Sequence, residues 1–243
     1  MSTVSLLLII RPILNVPMWV QLLAVIFGAI SGTIVGRRSE FDLAGLVALA
    51  IATGLGGGML RDILLQHGTP VALSNNAFIL TATVTGVVGA LAPTTIAAVL
   101  TRIRWPFTVL DAMFVAIYAT TSTEMATNVG LPAVPCIFVG VIGGVGGSIL
   151  RDVFANEQPE IFRPGTLYAV PTAIGVTVYV AILRLTTVGS WSAIVPIVLI
   201  VTMRMVAVWR GWSLSEAAED VYLFAQIRTR IRNLPMKSKR REP

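Results

Sequence analysis

The chain has 243 residues, of which 55% are hydrophobic and only 12% are charged, and its mean hydropathy is +0.82. Soluble domains carry about 25% charged residues, so this composition excludes a soluble globular protein and indicates an integral membrane protein. The net charge of +6 does not indicate a nucleic-acid partner, because eight of the 18 basic residues lie between Arg210 and Arg241, beyond the last apolar run.

Seven apolar stretches predict an all-α membrane protein with seven spans, since a spanning helix needs roughly 20 apolar residues. Residues 1–17 precede them and lack the basic leader and the cleavage site of a signal peptide. Tryptophans lie at the ends of the stretches, where an amphipathic ring prefers the headgroup level. The predicted spans are 18–35, 43–65, 77–100, 107–123, 134–154, 167–185 and 191–208.

The distribution of basic residues predicts the orientation. Loops rich in lysine and arginine stay in the cytoplasm, so the basic C-terminus should be cytoplasmic and, with seven spans, the N-terminus should be outside. The outside loops 66–76 and 124–133 hold no lysine or arginine. The basic residues of the inside loops are Arg37, Arg38, Arg102, Arg104 and Arg163.

One glycine-rich motif occurs twice, 90 residues apart, in the second and the fifth span. It runs from Gly54 to Asp62 and again from Gly144 to Asp152, and both copies end in Leu-Arg-Asp. Because the repeating unit holds three spans, the second unit is inverted relative to the first. The predicted domains are an extension at 1–17, the first repeat at 18–100, the inverted repeat at 105–187, the seventh helix at 190–210 and a cytoplasmic amphipathic helix with a basic tail at 213–243.

The segment after the seventh span predicts a surface helix and a polycationic end. Ser213 and Glu216 have the spacing of a capping box, and apolar residues then recur at helical spacing. The basic residues from Arg228 to Arg241 would attract anionic lipid, by about 1 kcal/mol each near the surface. A solubilising tail that directs membrane insertion is an equal alternative.

The motif glycines indicate either a pore or tight helix packing. Glycine costs a helix roughly 1 kcal/mol relative to alanine, so the run predicts a kink or local unwinding that frees carbonyls for a cation. Small residues four apart also allow close packing. Because the pattern recurs in two inverted copies, we favour the pore and hinge. The hinge residues are Gly54, Gly56, Gly57, Gly58, Gly144, Gly146, Gly147 and Ser148.

The charged residues that end each motif must face a polar interior. They are Arg61 and Asp62 in the first copy and Arg151 and Asp152 in the second, and a charge in mid-span costs at least about 2.5–3.5 kcal/mol. Neighbours on a helix do not face each other, so the arginine need not pair with the aspartate. We expect each guanidinium to bind carbonyls freed at the glycines, or to be a structural anchor near the interface.

Polar residues in the first and fourth spans predict the ends of the pathway. Hydroxyls and carbonyls can replace the water around a weakly hydrated ion. This chemistry by itself does not separate potassium from a zwitterionic amino acid. The predicted pore-mouth residues are Ser31, Asp111, Ser122 and Glu124.

Other function classes are disfavoured. The sequence holds no nucleophile–base pair, metal cluster or phosphate loop, so we expect neither an enzyme nor a cofactor. The single Cys136 excludes an intrachain disulfide, and the lone His67 excludes a histidine metal site. A carrier for a small amino acid and a non-conducting membrane scaffold are the alternatives to a channel.

The doubled motif resembles the trimeric intracellular cation channel family, in its bacterial and archaeal branch, which carries a glycine transporter domain label. The segments 27–32, 110–112 and 167–169 add to the resemblance. It implies a homotrimer in a prokaryotic plasma membrane, with one potassium-conducting pore in each subunit. It also implies kinks at the glycines of the second and fifth spans, with Arg61 and Arg151 as polar supports.

Several residues depart from the usual pattern of that family. Ser148 replaces a glycine, Gly28 stands where alanine is usual, and Phe114 stands where glycine is usual. The lysine often found late in the fourth span is absent, and Met125 lies close to that place. The lysine-based lipid site of the animal channels therefore has no clear counterpart in this sequence.

Overall fold

The computed structural model describes residues 16–66, 68–92, 104–163, 167–185 and 190–211, and these residues form an all-helical bundle. Seven long helices start within a few residues of the predicted spans. They are α1 (Met18–Arg38), α2 (Leu43–Leu65), α3 (Asn76–Leu91), α4 (Arg104–Asn128), α5 (Ala133–Phe154), α6 (Ala169–Leu185) and α7 (Ile194–Arg210), joined in part by the short helix Val71–Ser74 and the 3-10 helices Glu160–Phe162 and Ser190–Ala193.

Two helices differ most in length from the predicted spans. α4 extends past 107–123 at both ends, because polar residues such as Glu124 continue the helix although they end the apolar run. α3 stops at Leu91, because a proline at position 93 favours an extended conformation at Ala92 (ψ 139°). Most of the extension 1–17, His67 and the predicted surface helix and basic tail at 213–243 lie outside the described residues.

The backbone conformation repeats with the same 90-residue spacing as the motif. Left-handed residues follow α2 at Gln66 (φ 48°) and α5 at Asn156 (φ 55°). They also occur before these helices, at Glu40 (φ 58°) and Gly130 (φ 87°). The two halves of the described chain therefore turn at corresponding places.

The helices form two similar units of three. In the first unit α1, α2 and α3 pack on one another, and in the second α4, α5 and α6 do the same. The units meet where α1 packs on α4 and α2 packs on α5, and α7 packs on α4 and α6. The two glycine-rich helices are therefore central, and α7 lies on the side of the second unit.

The surface of the bundle suits a membrane. By length and composition, α1, α2 and α5 can cross a bilayer, and α3 and α6 are apolar but shorter. Many large apolar side chains point outward, and Trp19, Trp105 and Trp209 are exposed near helix ends. Exposed aromatic rings at these places are typical of membrane–water interfaces.

Candidate functional site

The glycine-rich helices α2 and α5 cross in backbone contact. A side-chain carbon at Gly57 would overlap the carbonyl oxygen of Gly143, and one at Gly147 would lie 2.5 Å from the carbonyl oxygen of Thr53. The second contact is the first shifted by 90 residues in each helix. Because any side chain at Gly57 or Gly147 would push the helices apart, this close approach requires glycine.

The other motif glycines make matched contacts in the two halves. A side chain at any of them would meet a neighbouring helix, so all are packed rather than open to a cavity. Most of these contacts are again related by the 90-residue shift. They join Gly56 to Leu150, Gly146 to Leu60, Gly54 to Val25, Gly144 to Val115, and Gly58 to Tyr118.

The expected unwinding at the glycines is not found, because both motifs lie within uninterrupted helices. The expectation that the arginines bind carbonyls freed at the glycines is wrong as well. In the described residues, the guanidinium groups of Arg61 and Arg151 donate hydrogen bonds to side chains. The carbonyl oxygen of Gly54 instead accepts a hydrogen bond of 2.6 Å from the hydroxyl of Tyr118. A tyrosine of α4 therefore does what we expected of an arginine.

The side chain of Phe114 fills the space beside the crossing. Its ring lies 2.6 Å from the position of a side-chain carbon on Gly28 and 2.5 Å from one on Gly147. It also packs edge-on against Tyr118, with the ring centres 5.2 Å apart. Phe114 is completely buried, so no open path passes it in this conformation.

Each arginine of the motifs pairs with the aspartate that follows it. Arg61 Nε lies 2.7 Å from Asp62 Oδ1, and Arg151 Nε lies 2.8 Å from Asp152 Oδ1. The sequence had left this pairing open, because adjacent helix positions diverge, but a long arginine side chain can bend back. Asp62 also accepts the backbone N–H of Val71 at 2.9 Å. The aspartate thus ties its arginine to the segment after the helix.

Arg151 has further partners that Arg61 lacks among the described residues. Asp152 accepts the backbone N–H of Glu160 at 3.0 Å, which repeats the first half. In addition, Arg151 Nη1 donates to Ser31 at 2.6 Å and to Asp111 at 2.7 Å. Two predicted mouth residues, from α1 and α4, therefore meet on one guanidinium.

Asp111 is the centre of a buried polar cluster. Its Oδ2 accepts hydrogen bonds from Arg204 Nη2 and from the Tyr168 hydroxyl, both at 2.8 Å. Tyr168 also lies 2.7 Å from the hydroxyl of Ser148. We refer to Asp111, Ser148, Arg151, Tyr168 and Arg204 as the Asp111 cluster.

Sequence reasoning missed Arg204 and the role of Tyr168. A signal for Arg204 was available, because it is a charged residue inside the predicted span 191–208 and such residues mark sites by default. Tyr168 follows a predicted loop and carries no charge, so nothing in its local sequence indicated a buried partner.

Glu160 borders the Asp111 cluster from the 3-10 helix after α5. Its carboxylate lies 4.0 Å from Arg204 Nη2, and its side chain is 31% exposed. Burial raises the pKa of Glu160 above its ordinary value of 4.5, and Asp111 raises it further, while Arg151 and Arg204 oppose the rise. This carboxyl is therefore easier to protonate than a free glutamate.

The other two predicted mouth residues lie apart from the Asp111 cluster. Ser122 is completely buried, its hydroxyl has no hydrogen-bond partner in the described residues, and it packs where a side chain at Gly143 would lie. Glu124 is 4% exposed, near the other end of α4. No group of three or more potential metal ligands occurs in the part of the chain that the structure describes.

The sequence matches known membrane proteins. The glycine transporter family model matches residues 18–94 and 108–184, two segments that begin 90 residues apart. A UPF0126 membrane protein of Deinococcus radiodurans is 35% identical over 158 residues, which are 65% of this chain and 72% of that protein. The UPF0126 inner membrane protein YadS of Escherichia coli K12 is 32% identical over 162 residues, 65% of this chain and 74% of that protein.

The fold matches solved channels. A TRIC cation channel, solved to explain conductance, aligns with a TM-score of 0.73 and 28% identity over 82% of this chain and 96% of that chain. The trimeric intracellular cation channel orthologue from Rhodobacter sphaeroides aligns with a TM-score of 0.72 and 26% identity over 80% and 98%. The similarity covers nearly the whole of both solved proteins.

Proposed function

This chain belongs to the family of glycine transporter membrane proteins and trimeric intracellular cation channels, and from that premise we propose that it is a homotrimeric potassium channel with one pore in each subunit. It is an integral membrane protein, like its inner-membrane relatives. In this proposal α1–α3 and α4–α6 are inverted repeats, all seven long helices cross the bilayer, and the N-terminus is outside.

The pore is proposed to pass the glycine crossing between α1, α2, α4 and α5. The reciprocal contact of Gly57 with Gly143 and of Gly147 with Thr53 carries this proposal. Contacts of this kind arise on a pseudo-twofold axis, and inverted-repeat transport proteins have their sites on that axis near the membrane midplane. Arg61 and Arg151, each held by its aspartate, are then polar supports on the two sides of the crossing.

The described conformation corresponds to the closed pore. Phe114 and Tyr118 fill the space beside the crossing and are both buried. Opening would need α4 to withdraw these rings, and glycines at the crossing would let α2 and α5 slide without interlocked side chains. The buried hydroxyls of Thr53 and Ser122 lie beside the crossing and could then replace part of the water around a potassium ion.

The description of the family model supports a second candidate, a secondary carrier for a small amino acid. The buried guanidinium groups of Arg61 and Arg151 could bind the carboxylate of such a substrate. A carrier shows saturable uptake, whereas a channel shows discrete single-channel steps. A scaffold shows neither.

One experiment tests the proposal. Purified protein in a planar bilayer under a potassium gradient should give unitary currents that reverse near the potassium equilibrium potential, and native mass spectrometry should find three chains. Saturable glycine uptake without unitary currents would favour the carrier. A monomer with neither activity would contradict both functions.

A further inference from the structure

Arg204 of α7 occupies a pocket built from the second repeat. Its Nη2 lies 2.8 Å from Asp111 Oδ2, and its guanidinium carbon lies 3.8 Å above the ring centre of Tyr168. Glu160 approaches to 4.0 Å from the partly exposed side. A carboxylate, an aromatic face and a second carboxyl group around one point form a setting that favours a positive charge.

The part of the first repeat that the structure describes has no such pocket. A shift back by 90 positions replaces both carboxylates that face Arg204, since Asp111 becomes Gln21 and Glu160 becomes Pro70, while the arginine–aspartate pair of the motif is kept. The pocket is therefore not a by-product of the repeat. The counterparts of Asp111, Ser148 and Tyr168 are Gln21, Gly58 and Phe78.

Apart from the partly exposed Glu160, the charges of the pocket balance only while Arg204 is present. Arg151 and Arg204 are positive, and Asp111 and Asp152 are negative, so the four groups are neutral together. Without Arg204 the other three groups would carry a net charge of −1, and the completely buried Asp111 would keep Arg151 as its only ion-pair partner in the described residues. A buried group with an unbalanced net charge is strongly unfavourable, so the charge would be balanced by a cation or by a proton.

The guanidinium does not fit the pocket completely. Arg204 is 4% exposed, and its Nη1 is buried with no hydrogen-bond partner in the described residues. An unsatisfied buried donor opposes this arrangement. A spherical cation has no fixed donor directions and would not leave such an orphan group.

We propose that this pocket is a binding site for a monovalent cation, and that Arg204 is a tethered cation that occupies and blocks it. The net charge of −1 that Asp111, Asp152 and Arg151 carry together matches a single positive charge, and the face of Tyr168 favours a weakly hydrated ion such as potassium. The inference deepens the proposed channel function, on which the choice of potassium rests. Withdrawal of α7 from α4 would free the site for an ion.

The test measures binding through thermal stability, separately from conduction. Arg204→Met keeps much of the side-chain length and removes the charge. The melting temperature of this variant in detergent should be higher in potassium chloride than in N-methyl-D-glucamine chloride of equal ionic strength, by roughly 5 °C at saturation. The parent protein should melt at the same temperature in both salts, because its site is filled.

Matched variants separate this site from a general salt effect. Arg204→Met combined with Asp111→Asn removes both charges and should lose the potassium response. Arg184→Met, which removes an exposed arginine bonded to the carbonyl of Leu131, should respond like the parent. A response to magnesium in place of potassium, or no specific response in Arg204→Met, would overturn the proposal.

A second variant and the choice of salt distinguish a loss of folding from a loss of potassium binding. Arg204→Gln keeps a donor for Asp111 and should respond to potassium as Arg204→Met does. If both variants fold in neither salt, the proposal is wrong, because bound potassium should replace the guanidinium. If Arg204→Met shows the potassium shift while no variant conducts in bilayers, the cation site stands and the proposed channel function fails.

Discussion

At the scale of residues, Phe114 and Gly28 explain each other. The family resemblance led us to expect glycine at position 114 and alanine at position 28. The ring of Phe114 passes 2.6 Å from the place where a side chain at position 28 would begin. A phenyl ring fits between α1 and α4 because the facing residue has no side chain.

We expect Gly28→Ala to lower the free energy of unfolding by about 1–3 kcal/mol, because the added methyl group overlaps the Phe114 ring. The same change should cost less in a Phe114→Ala background. Thermal or denaturant unfolding of the parent, the two single variants and the double variant gives the coupling free energy between the two residues, which should be at least about 0.5 kcal/mol. Equal costs in the two backgrounds would show that the residues are independent.

The same ring should limit conduction. Phe114→Ala removes the side chain that fills the space beside the crossing, so potassium flux into liposomes should increase. The cavity lowers stability by about 3–5 kcal/mol, so only trimeric, folded protein should be compared. Unchanged flux through well-folded Phe114→Ala would contradict the position of the pore.

Glu160 should make stability depend on pH. Its pKa is raised above 4.5 by burial and Asp111, so its contribution to the free energy of unfolding is present below pH 4.5 and is lost as the pH rises through the higher folded pKa. Relative to Glu160→Gln, the parent should therefore become less stable as the pH increases from about 4.5. If the parent instead became more stable than Glu160→Gln as the pH rises, the attraction between the ionised Glu160 and Arg204 would outweigh the effect of burial.

At the scale of elements, the second and fifth helices are defined by how they cross. Glycine weakens each helix by about 1 kcal/mol per residue, but both stay continuous because the neighbouring helices pack around them. The glycines remove side chains where α2 and α5 touch. The aspartates at the ends of the motifs then connect each helix to the segment that follows it.

Gly57→Ala and Gly147→Ala should both destabilise the bundle, by at least about 1 kcal/mol. Alanine favours a helix by up to about 1 kcal/mol, but here its methyl group overlaps or crowds a backbone carbonyl that cannot move aside. Gly45→Ala in α2 is the control, since its nearest atoms belong to side chains, of Asp42 and Phe41, and lie 3.1–3.3 Å away without overlap with a backbone carbonyl. Unfolding measurements that find all three variants alike would show that the crossing is loose.

At the scale of the whole molecule, two three-helix units pack face to face and α7 joins only one of them closely. Many large apolar side chains lie on the outside, and charged side chains such as Arg61, Asp111 and Arg151 are buried, which is unusual for a soluble protein. The Asp111 cluster makes the two units unequal, because it links α1, α4, α5 and α7 at one end of the bundle. If the two units are inverted as we propose, this difference would let the protein treat the two sides of a membrane differently.

The orientation can be tested with single cysteines in a Cys136→Ser background. Ser74→Cys lies at the exposed end of the short helix after α2, and Ser39→Cys lies after α1. We expect an impermeant maleimide to label position 74 on intact cells and position 39 only after permeabilisation, because the basic loops stay inside. The reverse pattern would invert the topology and exchange the two mouths.

The sequence by itself determined the membrane class, the positions of seven helices and the doubling of the glycine motif. These features depend on apolar length, charge and spacing, which are read along the chain. Only the tertiary structure decided the partners of the charged groups. Arg151 meets Asp111 across 40 positions and Ser31 across 120, and Arg204 meets Asp111 across 93.

Such partnerships depend on the relative rotation of packed helices, which side-chain packing fixes and which local periodicity does not specify. For the same reason the sequence indicated flexible glycines but did not reveal that they cross in contact. Both Gly28 and Phe114 stood out in the sequence, but nothing in it indicated that they are in contact. A residue's type can be read from the chain, whereas its neighbour is decided by the packing of all the helices at once.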